Sequence, residues 1–245
     1  MGGTGKIALL TGANPVREAL QAGVGLDRVH VLRGAGGARL QELIDLCRQR
    51  AVPVRFETRQ ALDRLAGGRP HQGVAAVRTS HQYADLEAIL PDARLLVVLD
   101  GVEDPHNLGA IIRTAHAAGA AAVLVPERRA APITDAVARA ASGALAYLPV
   151  VRVPNLNRVL ETLKQRGFWI YGLDQRGEAE YDTTEYNIPS ALILGGEGKG
   201  LHEQVRKNCD VLVRIPMAGK IASLNVSVAA GIALFEWKRR CGAGD

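Results

Sequence analysis

Apolar positions along the chain recur with two periods. Leu40, Leu43, Ile44 and Cys47 fall at helical spacing. Leu95 to Leu99 form an unbroken apolar run, the pattern of a strand buried on both faces. Before residue 80 the pattern predicts a helix opening at Asn14-Pro15, with the asparagine as cap and the proline at the first helical position. Strands follow over 28–32, 52–56 and 74–77, with a helix over 40–50, a helix from Thr58 through Leu65, and a glycine-rich loop over 67–73. Residues 81–93 read as a connection holding a short helix, Leu86 to Leu90, that Pro91 stops. Beyond it the pattern predicts strands over 95–99, 121–125, 148–151, 168–173, 191–194 and 211–215. Helices are expected over 107–118, after Pro132, over 156–166, after Gly200 and over 224–239. Strand and helix alternating in this way predict an α/β fold with a parallel sheet. The expected domains are residues 1–80, a connection over 81–93, and residues 94–245.

Charge separates the same two parts. Residues 1–80 hold 12 lysines and arginines against 6 acids, while residues 81–245 hold 18 against 19. The net charge of +5 therefore sits in the first third. A basic module beside a neutral one suits a nucleic-acid-binding domain joined to a catalytic one. Phe56 is the only Phe, Tyr or Trp before residue 80, so recognition by backbone and shape is expected there rather than base stacking. Hydrophobic residues make up 47% of the 245, enough to bury a core. The longest small apolar stretch, near Ala117 to Val125, is shorter than the ~20 residues a bilayer needs. No secretory leader is apparent, and Cys47, Cys209 and Cys241 are odd in number and far apart. A cytoplasmic protein without membrane partner, disulfide framework or cysteine metal site is expected.

Two glycine-rich segments invite a phosphate-loop reading and fail it. Gly2 to Lys6 has no preceding strand, and Ile7 stands where a Mg²⁺-binding hydroxyl belongs. Gly195 to Gly200 lacks dinucleotide spacing, and the acid within it would oppose a pyrophosphate. The six histidines show no metal-ligand spacing, so no metal is expected.

Three polar clusters follow apolar strands directly, where parallel sheets bind ligands. The first is Asp100 to Gly109, running into a helix with Arg113 and Thr114. Asn107 and Arg113 are expected near the helix start on one side. The second is Gly195 to Gly200 with Glu197, and the third is Ile215 to Gly219 followed by Ser223 to Ser227. Singly, each has a plainer reading: Arg113 in a surface ion pair, Asn107, Ser223 and Asn225 as helix caps, and Glu197 paired with a lysine.

The segments Asp104 to Thr114 (DPHNLGAIIRT), Leu194 to Leu201 (LGGEGKGL) and Ile215 to Ser227 (IPMAGKIASLNVS) closely resemble the three motifs of the SpoU (TrmH-type) branch of the SPOUT RNA methyltransferases. The resemblance covers the whole second domain. The first third is similar to the ribosomal-protein-like substrate-binding domain of the 23S rRNA guanosine 2′-O-methyltransferases, through Gly12 to Val16, Glu18 to Leu20 and His71 to Gly73. Lys220 to Ala222 falls where the family varies.

The resemblance implies a trefoil knot, a homodimer with its site near the interface, and S-adenosyl-L-methionine as cofactor. By motif match Gly195, Gly196, Ile215, Met217 and Leu224 line the cofactor pocket, their backbone groups bonding the adenine. Arg113 is the catalytic residue, oriented with the ribose by Asn107, Glu197, Ser223 and Asn225. A guanidinium is a poor base, so Arg113 is expected to orient ribose and phosphate and assist proton loss. In the first domain Arg17, Arg69, His71 and Gln72 are the expected RNA contacts. The implied reaction is 2′-O-methylation of a guanosine in 23S rRNA. A tRNA ribose methyltransferase, a resistance-type rRNA methyltransferase and a non-catalytic RNA-binding protein on the same fold are the alternatives.

Overall fold

A computed structural model describes residues 9–50, 52–78, 81–196, 200–220 and 223–242. They divide into two units, Met1–Gln82 with Pro132–Ala136 and Tyr83–Ala131 with Val137–Asp245. Among the described residues no helix is long and apolar enough to cross a membrane.

In the first unit β1 (Leu9–Thr11), β2 (Leu26–Leu32), β3 (Val54–Glu57) and β4 (Val74–Arg78) form a sheet of order β1-β4-β2-β3. Only the β2–β3 pair is parallel. Val16 and Leu20 of α1 (Ala13–Gln21) and Leu43 and Cys47 of α2 (Ala38–Gln49) pack on Val29, Val31, Val74 and Ala76 of the sheet. Burial pushes the Cys47 thiol up to about 11, so it serves as a small hydrophobe. Thr58 caps α3 (Arg59–Ala66) through its Oγ1, as expected. The start of α1 differs from expectation. Gly12, at φ +95°, is the residue before the helix, and Asn14 lies inside it, accepting from Arg17. Pro15 is tolerated there because backbone N–H groups of the first turn have no helical partner.

The second unit is built on seven strands: β5 (Leu95–Asp100), β6 (Ala122–Pro126), β7 (Val150–Val153), β8 (Trp169–Leu173), β9 (Ala179–Glu180), β10 (Ser190–Gly195) and β11 (Val211–Arg214). Their order is β7-β6-β5-β10-β8-β11-β9, and every pair is parallel. All six residues of β5 are buried, as its apolar run requires. Leu160 and Leu163 of α7 (Leu156–Gln165) and Val205 of α8 (Glu203–Lys207) pack with Leu96, Val98, Ile170 and Ile193 on one face. On the other, α5 (Pro105–Ala118) and α9 (Val226–Cys241) pack together, and Trp237 donates to Ser190 Oγ at 2.9 Å. Gly109 lets α5 approach α6 (Asp135–Ala141), since a Cβ there would meet Ala140 at 2.4 Å.

Residues 83–93, read from sequence as a connection, are part of this unit. Leu90 and Ala93 join its core, α4 (Leu86–Ile89) packs against it, and Ala84 bridges Val151. The short helix carries enough apolar surface to dock.

Candidate active site

Parallel pairing puts the C-terminal ends of β5, β10, β8 and β11 side by side on one sheet edge. The loops after β10, β8 and β11 enclose a cavity of about 370 Å³, a size suited to a small ligand. All five expected pocket residues, Gly195, Gly196, Ile215, Met217 and Leu224, line it, together with Ser223. Met217 and Leu224 stay partly exposed, an apolar wall with one open side.

The glycines admit close backbone packing. A Cβ on Gly195 would lie 2.2 Å from the Gly200 carbonyl carbon, and one on Gly196 would lie 2.0 Å from the Gly101 oxygen. Gly196 N–H donates to Asp100 O at 2.8 Å, and Gly200 N–H donates to Gly196 O at 3.2 Å. The Gly196 N–H is thus committed to the fold. Glu197 lies outside the described residues.

A strand end missed in the sequence completes the wall: Leu173, the last residue of β8, with Asp174, Gln175 and Arg176 after it. Arg176 clamps Asp174 with Nε at 2.9 Å and Nη2 at 2.7 Å. The guanidinium hydrogen bonds hold the Asp174 carboxyl below its usual range against the opposing effect of burial. The available signal was position: these residues follow an apolar strand just as the other three clusters do.

A second cavity, about 360 Å³, shares Gly196, Gly200 and Val226 with the first. Asn107 lines it with the Asp100–Asp104 loop, Arg129 and His202. Asn107 is not the cap of α5. Asp104 Oδ1 takes that role, accepting from the backbone N–H of His106 at 2.6 Å and of Asn107 at 3.1 Å. The Asn107 side chain instead accepts from Asn225 Nδ2 at 3.0 Å. Asn225 Oδ1 also caps α9, accepting from Ser227 N–H at 2.9 Å. One asparagine therefore ties the first and third motifs together.

Arg113 is not brought to either cavity. Six residues along a helix turn it about 120° away from Asn107. It is exposed, and its Nη1 donates to Ser142 Oγ at 3.3 Å. The expectation that the two share a side is corrected.

In the first unit His71 is buried with both ring nitrogens engaged. Nδ1 accepts from Gly73 N–H at 3.0 Å, which leaves Nε2–H for Asp63 at 2.9 Å. It staples the loop and is not presented to RNA. Gln72 and Arg69 are exposed, and Arg69 Nη1 reaches Leu9 O at 3.5 Å. Arg17 lies in a groove with Glu18, Glu42 and Asp45, an acid-rich surrounding for a phosphate contact. Among the described residues no group of three His, Cys, Asp or Glu side chains could hold a metal.

Residues 94–235 match the SpoU rRNA Methylase family, and residues 9–84 match the RNA 2′-O ribose methyltransferase substrate-binding family. A Bacillus subtilis (strain 168) protein assigned to the TrmH family tRNA/rRNA methyltransferases, YacO, is 39% identical over 94% of each chain. The AdoMet complex of the SpoU methyltransferase AviRb from Streptomyces viridochromogenes is similar at TM-score 0.62 and 29% identity, covering 96% of this chain and 91% of that one. An AdoMet-bound rRNA methyltransferase from Sinorhizobium meliloti gives 0.61 and 27%, over 95% and 87%.

Proposed function

The chain belongs to the SpoU (TrmH-type) family and is an S-adenosylmethionine-dependent RNA 2′-O-ribose methyltransferase; from that premise we propose that its substrate is a guanosine of 23S rRNA. The observation that carries the site assignment is the first cavity, where the ends of β8, β10 and β11 and the start of α9 converge on an apolar, glycine-floored space. Bound there, the cofactor supplies a methyl group already activated on a sulfonium. Leu173, Leu194, Ile215, Met217 and Leu224 flank an adenosine-sized ligand, and the Gly195–Gly196 floor keeps it free of side chains.

The target ribose enters the second cavity, which shares Gly196, Gly200 and Val226 with the first. There the Asn107–Asn225 amide pair orients it, with Ser223 on the donor side and Glu197 from the second motif. Arg113 holds ribose and phosphate. Because it faces solvent away from both cavities, it acts across a homodimer, reaching the site of a second copy. Val228 and Phe235 of α9, 51% and 48% exposed, support an apolar mating face beside α5. The family's trefoil knot, with the C-terminal segment threading a loop, belongs to the same reading, as does a cytoplasmic location. The basic first unit supports rRNA over tRNA, gripping backbone phosphates through Arg69 and its neighbours.

The test is incubation with radiolabelled S-adenosylmethionine and separate unmodified 23S rRNA, 16S rRNA and tRNA pools. Alkali-stable label confined to 23S rRNA is the expected outcome. Label in tRNA overturns the substrate but keeps the chemistry. Absence of label together with absence of cofactor binding favours a non-catalytic RNA-binding protein.

A further inference from the structure

We propose that His202, held by Asp100, accepts the proton of the ribose 2′-hydroxyl. The inference rests on the methyltransferase reading above. Asp100 ends β5 with its side chain wholly buried. Both of its oxygens are taken by one residue: Oδ2 accepts from the His202 backbone N–H at 2.8 Å, and Oδ1 meets His202 Nδ1 at 2.9 Å. A buried carboxylate needs donors, so Nδ1 carries the hydrogen. The neutral ring then keeps its lone pair on Nε2.

The ring stands in the cavity that holds Asn107, beside the three residues shared with the donor pocket. Gly101, at φ +88°, leaves the approach open, since a Cβ there would sit 3.3 Å from His202 Cε1. An imidazole, unlike a guanidinium, is available as a neutral base at physiological pH. In the transfer the 2′-O–H bond breaks, its electrons stay on oxygen, and the proton goes to Nε2. The O–C bond forms as the C–S bond breaks, with that electron pair going to sulfur. Asp100 then faces an imidazolium rather than an imidazole, the more favourable pairing.

Other charged groups surround the ring. Among the described residues, Asp100, Glu103 and Asp104 line the cavity with Arg129 as the one cation. On α8, Arg206 and Lys207 both pair with Glu203, at 2.7 and 3.7 Å. Cys209, close enough to feel the Asp100 charge, is a neutral thiol pushed up to about 12 by burial.

The experiment uses the full chain. Single-turnover methylation of a 23S rRNA transcript at saturating S-adenosylmethionine is followed from pH 5.5 to 9 for wild type, His202→Gln, and His202→Ala with and without imidazole. Cofactor affinity is measured by calorimetry, and the His202 tautomer is read by ¹⁵N NMR without cofactor. The expected result is a wild-type rate rising through one ionisation to a plateau. His202→Gln loses about 10²-fold in rate and loses that ionisation, with cofactor affinity kept. Imidazole restores part of the His202→Ala rate, and the spectrum shows hydrogen on Nδ1. A His202→Gln enzyme with wild-type rate and pH profile, or hydrogen on Nε2, overturns the proposal alone. A wild type that methylates no RNA overturns the parent reading with it.

Discussion

Gly196 has no room for a side chain, because the Gly101 carbonyl oxygen would lie 2.0 Å from its Cβ. Gly196→Ala must push two backbones apart at a cost of about 3 kcal/mol, and it displaces the pocket floor. A lowered melting temperature and loss of calorimetric S-adenosylmethionine binding check this. Arg113 makes a different demand. Arg113→Lys keeps the charge but loses the planar fork, so kcat should fall at least ~10-fold with melting temperature unchanged. Near-normal turnover in that variant would end its assignment as a catalytic residue. The sequence exposed such residues unevenly. Gly195 and Gly196 stood out because a glycine-rich turn after a strand signals close backbone approach. Arg113 was misplaced because spacing near two turns was read as alignment, while the helix advances about 100° per residue. His71 looked like a polar loop residue, and nothing in its neighbourhood announced that Asp63 and Gly73 would consume both nitrogens.

At the level of elements, long apolar runs were legible and short paired strands were not. The strands at 95–100 and 190–195 announce themselves by continuous burial. Leu9–Thr11 and Ala179–Glu180 exist only through their partners β4 and β11. Asp174 to Arg176 went unread because Asp-Gln-Arg-Gly reads as an ordinary turn. Strand β2 also carries a pH-sensitive group. Burial lowers His30 from 6.5, only partly offset by its Glu57 hydrogen bond. The unfolded chain therefore takes up a proton before the folded one as pH falls. This contribution to stability is full above 6.5 and is lost as pH drops toward the lowered value. Melting temperatures of His30→Gln between pH 7 and 5 should accordingly vary less than those of the wild type.

For the whole molecule, strand–helix alternation predicted the parallel sheet, but periodicity holds no strand order, so the insertion of β10 between β5 and β8 was invisible. The charge division was legible outright, and it carries a prediction. Affinity for a 23S rRNA fragment should fall steeply with salt, and Arg69→Ala should reduce the log–log slope by about 1. His71→Ala should lower the melting temperature and leave that slope unchanged. The inserted strand also sets a timetable for synthesis. Leu95 waits for Ser190 before β5 gains its second neighbour, and the pocket wall at Ile215 to Leu224 emerges later still. At ~5–20 residues per second, an apolar strand stays half-paired for roughly 5–20 s on the ribosome. Residues up to Arg78 have meanwhile delivered every strand of the first sheet. A nascent chain can thus hold RNA before it can hold a methyl donor, and it becomes an enzyme only after synthesis has passed Leu224.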